Sequence, residues 1–395
     1  MQLVEKHIIK NIEMFSICEK SKNLYNQALY YWRQSLIGNI QYFTEYELIK
    51  LFCEFDEENY RVLPAQTSQQ IIKLLFKNIK SWYKSKKEYD KNPKKFLGKP
   101  KIPKYKKETF VTIFTNQQIS IKKGFIHFPK MTGIKPVKTK VNKICQVRII
   151  PNSTHCTVEV VYEKQEKELK KDNGKWLSID MGLNNLATCT TNDEVFIING
   201  KPLKAINHFY NKRKSKLQSL LPKNKFKSKR IDRLTNKRNN KISDYIHKAS
   251  SLIIKKAVKK DITKIIIGNN KNWKQEINIG KTNNRHFTSI PHSTLIEKIQ
   301  YKGKLEGIEI VLTQEAYTSK CSALDLEPVC KHDTYLGKRI SRGLFRTSKG
   351  QLINADVNGS LNIARLVAGD EIISDSVRRC VFHPIITNIL HTKCM

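Results

Sequence analysis

Acidic residues are scarce in this chain. Its 395 residues include 35 Asp and Glu against 73 Lys and Arg, a net charge of +38. Such an excess repels itself, so a polyanion is expected to neutralise it. Nucleic acid fits best, because phosphate contacts scale with the number of cations. No apolar run is long enough to span a bilayer, and the opening "MQLVEKHIIKNIEMF" lacks a secretory pattern. There is neither a lipidation signal nor the amphipathic apolar face that a basic membrane-surface protein needs. The 9 cysteines (Cys18, Cys53, Cys145, Cys156, Cys189, Cys321, Cys330, Cys380 and Cys394) are odd in number and scattered. They suit reduced thiols in the cytoplasm rather than a disulfide framework.

What is present falls into blocks, without internal repeats. Up to about Lys107 the pattern is helical: Leu24, Ala28 and Tyr31 share one face, as do Ile71, Leu75, Ile79 and Trp82. The polar face of the second stretch is nearly all lysine, with Trp82 and Tyr83 interleaved, which suits a helix facing nucleic acid. Pro93, Pro100 and Pro103 mark a basic linker. Alternating segments with turns at Lys123-Gly124 and Asn152-Ser153 predict a small β-domain, read as a barrel. A polar linker, Gln165 to Lys175, leads to a different pattern: "WLSID", then "LATCT" and "EVFIIN" as a hairpin across Thr191 to Asp193. A basic helical stretch (Lys201 to Lys260), the strand "KIIIG", a helix from Pro291 to Gly307 and the strand "IEIVLTQ" follow. A polar insertion (Ala316 to Asn354) then precedes a final helix with Leu361, Ala364 and Val367 inward. Three antiparallel strands followed by two joined through helices is the RNase H arrangement, and right-handed connections make the last two strands parallel to the first.

In that arrangement Asp180 ends the central strand, at the edge where α/β sheets bind ligands. Gly182 lets the chain turn just beyond it. Asp356 opens the final helix, which would bring it to the same edge; read alone, it could equally be a helix N-cap. Two-metal phosphodiester hydrolysis needs carboxylates to hold Mg²⁺, a hard ion that favours oxygen ligands. The strand "KIIIG" would be the neighbour to supply a third acid, but it ends in Gly268, Asn269 and Asn270. On the next strand Glu309 lies about 20 Å away at the wrong end, whereas Glu315 follows the right end, one strand further out. Glu315 is therefore the expected third ligand, and Asn269 could add a neutral oxygen.

At these residues the chain resembles the TnpB (OrfB) proteins of bacterial insertion sequences, RNA-guided DNA endonucleases related to type V CRISPR effectors. "SIDMGLNNLAT" is similar to the first RuvC motif. "FTNQQISIKKGFIHFPK", "KAINHFYNKRKSKLQS", "DYIHKAS", "IIIGNNKNWKQ", "YTSKCS" and "RGLFRTSKGQLINADVNGSLNIAR" are similar to family segments in order. The resemblance implies an α+β multidomain fold. A wedge β-barrel (residues 1–11 and 106–165) would enclose a helical recognition lobe (12–105). An RNase H-like, RuvC-type nuclease domain (175–395) would follow, with a basic helical insertion (201–260) and a degenerate zinc-ribbon insertion (316–354). The catalytic acids carry over as Asp180 and Asp356; the family's usual Glu does not, and a relocated Glu near the "YTS" segment of some relatives supports Glu315. The family ribbon's two Cys-x-x-Cys pairs are also missing. Cys321 remains, Leu324 stands where its partner would fall, and Cys330 with His332 completes a poor set of four ligands. No structural zinc is expected.

The function these readings imply is guide-RNA-directed endonucleolytic cleavage of double-stranded DNA, with Mg²⁺ on Asp180, Glu315 and Asp356, by a nucleoid-associated cytoplasmic protein. Lys77, Lys80, Lys84, Lys86 and Lys87, and Lys212, Arg213, Lys214, Arg230, Arg233, Lys237 and Arg238, are the expected nucleic-acid contacts. Two alternatives use the same acids differently: a nuclease-inactive RNA-guided repressor, favoured by the missing family Glu, and a strand-joining transposase.

Overall fold

The computed structural model describes residues 1–38, 43–269 and 289–389. Asn270, the remainder of its motif through Gln275, and Cys394 lie outside them. The chain divides into two compact units, Met1–Lys164 and Gln165–Met395.

In the first unit, β1 (Gln2–Ile9) leads into α1 (Ile12–Ile37), α2 (Glu45–Glu54), α3 (Glu58–Arg61) and α4 (Ala65–Lys91). The strands β2 (Thr112–Thr115), β3 (Ser120–Lys122), β4 (Phe125–His127), β5 (Val137–Lys138), β6 (Gln146–Pro151) and β7 (Cys156–Glu163) follow. They form two antiparallel sheets, β1-β7-β6-β2 and β3-β4-β5, with no hydrogen-bonded ring closing among the described residues. Lys123 and Gly124 both adopt positive φ (50° and 75°), the mirror-image turn a tight hairpin requires. The apolar stripe of α4 is buried at Ile71, Ile72, Leu75 and Ile79 against Leu24, Tyr25 and Ala28 of α1. Trp82 belongs to this packing: it meets Trp32 edge-on at 6.2 Å and donates to the Pro100 carbonyl (3.3 Å). Its role is structural, whereas Tyr83 is exposed among the lysines.

The second unit is built on β8 (Trp176–Asp180), β9 (Asn185–Thr191) and β10 (Val195–Asn199), then α5 (Lys201–Ser219), α6 (Lys229–Lys259) and β11 (Lys264–Gly268). Next come α7 (His292–Leu305), β12 (Glu309–Thr313), β13 (Lys338–Ser341), β14 (Leu344–Arg346), β15 (Leu352–Asn354), α8 (Ala355–Ala368), α9 (Asp375–Cys380) and β16 (Ile385–Thr387). The main sheet runs β12-β11-β8-β9-β10-β16. β11 is parallel to both β8 and β12, whereas β9 is antiparallel to β8 and β10. β8 and β11 read as continuous apolar runs because both of their faces are covered. One face packs on α6 and α7 through Ile246, Ile253, Leu295 and Ile299. Over the other, Val357, Leu361 and Ala364 of α8 pack with Ala323, Leu324, Phe345 and Ile353 of the insertion and with Trp176 and Val195.

Candidate active site

The carboxyl ends of the parallel strands gather the expected acids. Asp180 is the last residue of β8. Directly after it the backbone folds tightly: a Cβ at Gly182 would lie 2.6 Å from the Asn185 carbonyl oxygen, so only glycine fits. Buried His292 meets the Gly182 carbonyl through Nε2 (3.0 Å), fixing the turn from α7.

Asp356 sits in the first turn of α8 but is not its cap. Asn354 is the cap, its side chain accepting from the Asp356 and Val357 amides (2.9 and 3.4 Å). The Asp356 carboxylate is thus left for other partners. Asn185 Nδ2 donates to one oxygen (2.8 Å), and the Arg339 guanidinium stands 3.7 Å from the other. Helix and strand are pinned together by Ser178 and Ser360, whose buried hydroxyls lie 2.8 Å apart. One turn beyond Asp356, a Cβ at Gly359 would lie 2.8 Å from Asp180 Oδ2. The helix backbone therefore presses against the Asp180 carboxylate, and Asp356, three residues earlier, shares that face.

Glu315 reaches the same place from just beyond the end of β12. Its Oε2 occupies the space where a Cβ at Gly268 would be. The carboxylate thus covers the end of β11, the strand that carries no acid of its own. Glu309, by contrast, begins β12 opposite Lys264 at the far end.

The electrostatics follow from this proximity. Burial, then the negative charges of Glu315 and Asp356, push the Asp180 carboxyl well above the usual range, and Arg339 opposes this. Burial pushes Glu315 up to about 7. The donors are all carboxylate oxygens, the chemistry a hard divalent ion selects. Among the described residues, however, no group of three or more His, Cys, Asp or Glu side chains is drawn in tightly enough to hold a metal ion as it stands. Asn185 and Arg339 were not singled out from sequence. Asn185 stood inside the "SIDMGLNNLAT" segment, and Arg339 carried no distinguishing signal in a chain rich in arginine.

Within the insertion, thiols and carboxylates meet loop groups, Cys330 Sγ lying 3.4 Å from His332 Nε2. Leu324 is buried among apolar side chains, and the Cys321 thiol donates to the Cys330 carbonyl (3.5 Å). Asp325 accepts from the Ser322 hydroxyl (2.6 Å) and from the amide and hydroxyl of Ser348 (2.8 and 2.7 Å). Buried Glu327 accepts from the Ser322 and Leu336 amides (2.6 and 2.8 Å). These carboxylates join the loops around Ser322, Leu336 and Ser348.

Of the basic residues, Lys77, Lys80, Lys84, Lys86 and Lys87 are all exposed along α4. In the second unit Arg213, Arg230, Arg233 and Lys237 surround a groove of about 390 Å³ between α5 and α6, floored by Leu217, Leu220 and Leu234. Lys212 is exposed beside it and Lys214 lies over the Tyr210 ring (5.7 Å). Arg238 is committed inward: it donates to Asn207 Oδ1 (2.8 Å) and the Ser289 carbonyl (3.1 Å) and stacks on Tyr210.

Comparison with known proteins agrees with the motif order. Residues 159–274 match a family model described as "Probable transposase", OrfB_IS605, and residues 292–363 match the TNB domain of Cas12f1-like proteins. Among curated relatives, the TnpB-like protein ORF457 of Acidianus two-tailed virus is 26% identical over 220 residues, 52% of this chain and 45% of that one. The TnpB-like protein MJ0751 of Methanocaldococcus jannaschii is 28% identical over 130 residues, 32% of this chain and 45% of that one. The resemblance to the TnpB (OrfB) proteins is therefore shown by comparison as well as by motif. The aligned stretch spans about 45% of the length of each of these relatives. Among solved structures, a Cas12f1–sgRNA–target DNA complex aligns over 92% of this chain and 98% of that one, at 18% identity and a TM-score of 0.39. The mini-RNA-guided endonuclease CRISPR-Cas_phi3 aligns over 95% and 92%, at 10% identity and a TM-score of 0.46. No described helix is long and apolar enough to cross a membrane.

Proposed function

We propose that this chain is an RNA-guided DNA endonuclease of an insertion sequence, cutting target DNA by two-metal phosphodiester hydrolysis in a RuvC-type domain. The observation that carries this reading is the convergence of Asp180, Asp356 and Glu315, from three separate parts of the chain, at one sheet edge. Mutually repelling carboxylates are a poor arrangement for stability alone and a good one for binding cations.

Asp180, Asp356 and Glu315 are the residues that would hold Mg²⁺, which when bound supplies the charge that activates water and neutralises the departing oxygen. The chain's own contribution is placement. Asn185 fixes one oxygen of Asp356, Gly359 lets α8 approach Asp180, and Gly268 leaves room for Glu315. Burial raises the carboxyls of Asp180 and Glu315, so a bound cation would favour their charged forms. A guide RNA would select the target by base pairing while the protein reads duplex shape and charge. The exposed lysines of α4 and the cationic groove between α5 and α6 are the surfaces that suit such a backbone.

The repressor reading rested on the absence of an acid at the end of β11, and a Glu315 carboxylate covering that end weakens it. The transposase reading is favoured by the description of the matching family model and makes a different product. Sequencing the RNA that copurifies with the protein, then incubating the complex with matching DNA and Mg²⁺, separates all three. Cut ends support the endonuclease, bound but intact DNA supports the repressor, and joined strands support the transposase. Asp180→Ala is expected to abolish cutting and leave RNA binding intact; collapse of RNA binding would make Asp180 a structural residue.

A further inference from the structure

Helix α8 carries a second line of polar side chains, distinct from the acids. Asn358, Asn362 and Arg365 recur at helical spacing and all are buried, positions where apolar residues would be cheaper to fold. Each contacts the loop that follows β12. Asn358 donates from Nδ2 to the Cys321 carbonyl (2.8 Å) and accepts the Ala323 amide at Oδ1 (2.9 Å). Asn362 donates from Nδ2 to the carbonyls of Thr318 (2.8 Å) and Cys321 (2.7 Å). Arg365 donates to Asn362 Oδ1 (2.8 Å), which fixes the amide, and to the Glu327 carbonyl (2.9 Å). Thr318 in turn donates through its hydroxyl to the Glu315 carbonyl (3.0 Å).

That chain of hydrogen bonds ends at an acid outside any strand. The Asn269 amide donates to the Thr313 carbonyl (2.8 Å) at the end of β12, and Glu315 lies two residues beyond that strand. The loop also contains Tyr317 at φ 64°, a conformation a bulky residue adopts only when its surroundings over-determine it.

We infer that Asn358 and Asn362 are positioning residues for Glu315, clamping the Thr318–Ala323 backbone so that the carboxylate stays over Gly268. One helix then sets all three acids: Asp356 from its first turn, Asp180 against Gly359, and Glu315 through the two asparagines. This inference rests on the nuclease reading above.

The test uses the full-length protein with its copurified RNA. Asn362→Leu removes both amide donors; Thr318→Val removes only the bond to the Glu315 carbonyl and covers the case in which the first variant does not fold. Mn²⁺ binding followed by electron paramagnetic resonance, and cleavage as a function of Mg²⁺, are the readouts. Both variants should weaken Mn²⁺ binding, Asn362→Leu by ~10–100-fold, with cleavage recovering as Mg²⁺ is raised. In a Glu315→Gln background Asn362→Leu should weaken Mn²⁺ binding no further, because the two act on one ligand. Unchanged metal dependence in the folded variants, or an equal loss in both backgrounds, overturns the inference. If the wild type shows no Asp180-dependent cutting or Mn²⁺ binding, the nuclease reading itself fails. Hydrogen exchange over residues 313–327 then decides the clamp: faster exchange in Asn362→Leu sustains it and unchanged exchange overturns it.

Discussion

Replacing Gly268 with alanine should weaken cleavage ~10–100-fold while leaving the fold standing. The added methyl would meet Glu315 Oε2 and lie 2.6 Å from Ile363 Cδ1 and 3.2 Å from its Cγ1. Overpacking of this kind costs ~1–3 kcal/mol. Both obstructing groups are the free ends of flexible side chains, and Gly268 does not adopt positive φ, so the lower end of that range applies. A loss of ~1 kcal/mol lowers the melting temperature of a unit this size by about 2–4 °C. The carboxylate, however, has to leave its place over β11. Displacing a group that orients or completes a metal site lowers metal affinity or activity by ~10–100-fold. The assay is guided cleavage across a Mg²⁺ series, read beside a melting curve.

A second variant makes the logic sharper. Gly268→Asp in a Glu315→Ala background returns an acid to the end of β11 with the Glu315 carboxylate gone and only the flexible end of Ile363 left to give way. It should cut about tenfold faster than Glu315→Ala alone, an effect of the size expected for an oriented ligand. Wild-type cleavage and Mg²⁺ dependence in Gly268→Ala would refute the reasoning, since Glu315 would then be dispensable where it lies.

Further outcomes follow from the same geometry. Without metal, Glu315 held at about 7 against 4.5 for an unstrained carboxyl makes the folded state lose up to ~3 kcal/mol as pH rises from 4.5 through 7; Glu315→Gln should therefore melt higher than wild type at pH 8 and alike at pH 4, and no gain at pH 8 would show the carboxylate to be solvated. Asp325 is acted on by burial, which raises it, but hydrogen bonds from Ser322 and Ser348 bring it below 3.8, so its contribution is present above that pH and lost as pH falls further. Asp325→Ala should cost the insertion ~2–3 kcal/mol, the worth of a charged hydrogen-bond acceptor, seen as faster proteolysis or hydrogen exchange over residues 322–350. Replacing Lys77, Lys80, Lys84, Lys86 and Lys87 with alanine should reduce the slope of log binding constant against log salt by ~0.7–0.9 for each phosphate no longer neutralised; an unchanged slope would make that face merely solvated.

Much of the second unit was legible because its signals are local. The apolar runs "WLSID" and "KIIIG" are strands buried on both faces, and the hairpin turned where Thr191 to Asp193 interrupt the alternation. The basic stretch from Lys201 to Lys260 broke into α5 and α6 at Pro222 and its neighbours. Asp180 and Asp356 could be placed because strand order alone sends both to one edge. The short edge strand β16 left no pattern to read over three residues. Arg238 was read as surface-facing from composition and Trp82 was placed both on the apolar stripe and among the lysines, whereas partners remote in sequence, Pro100 and Ser289 among them, draw both inward. Asn358 and Asn362 were invisible for the opposite reason: a buried amide interrupts an apolar period and reads as surface until its carbonyl partners are known.

The scarcity of acid has a counterpart in where acids sit. Asp180, Glu315 and Asp356 share one edge, and Asp325 and Glu327 join loops of the insertion. Acids gathered at these places do not pair with the surface lysines, whose charge is left for a polyanion. On the proposed nuclease reading, a third carboxylate carried from outside β11 also has a structural requirement. The vacated strand end must be glycine, since any Cβ would exclude the incoming oxygen, and the loop that carries the new acid needs an anchor outside the sheet ladder. A relative with an acid at the end of this strand should accordingly have no acid at the position of Glu315. Where a relative has glycine at the strand end and Glu after it, the amide pair of α8 should be present too, because an unanchored loop would not return its carboxylate to the edge.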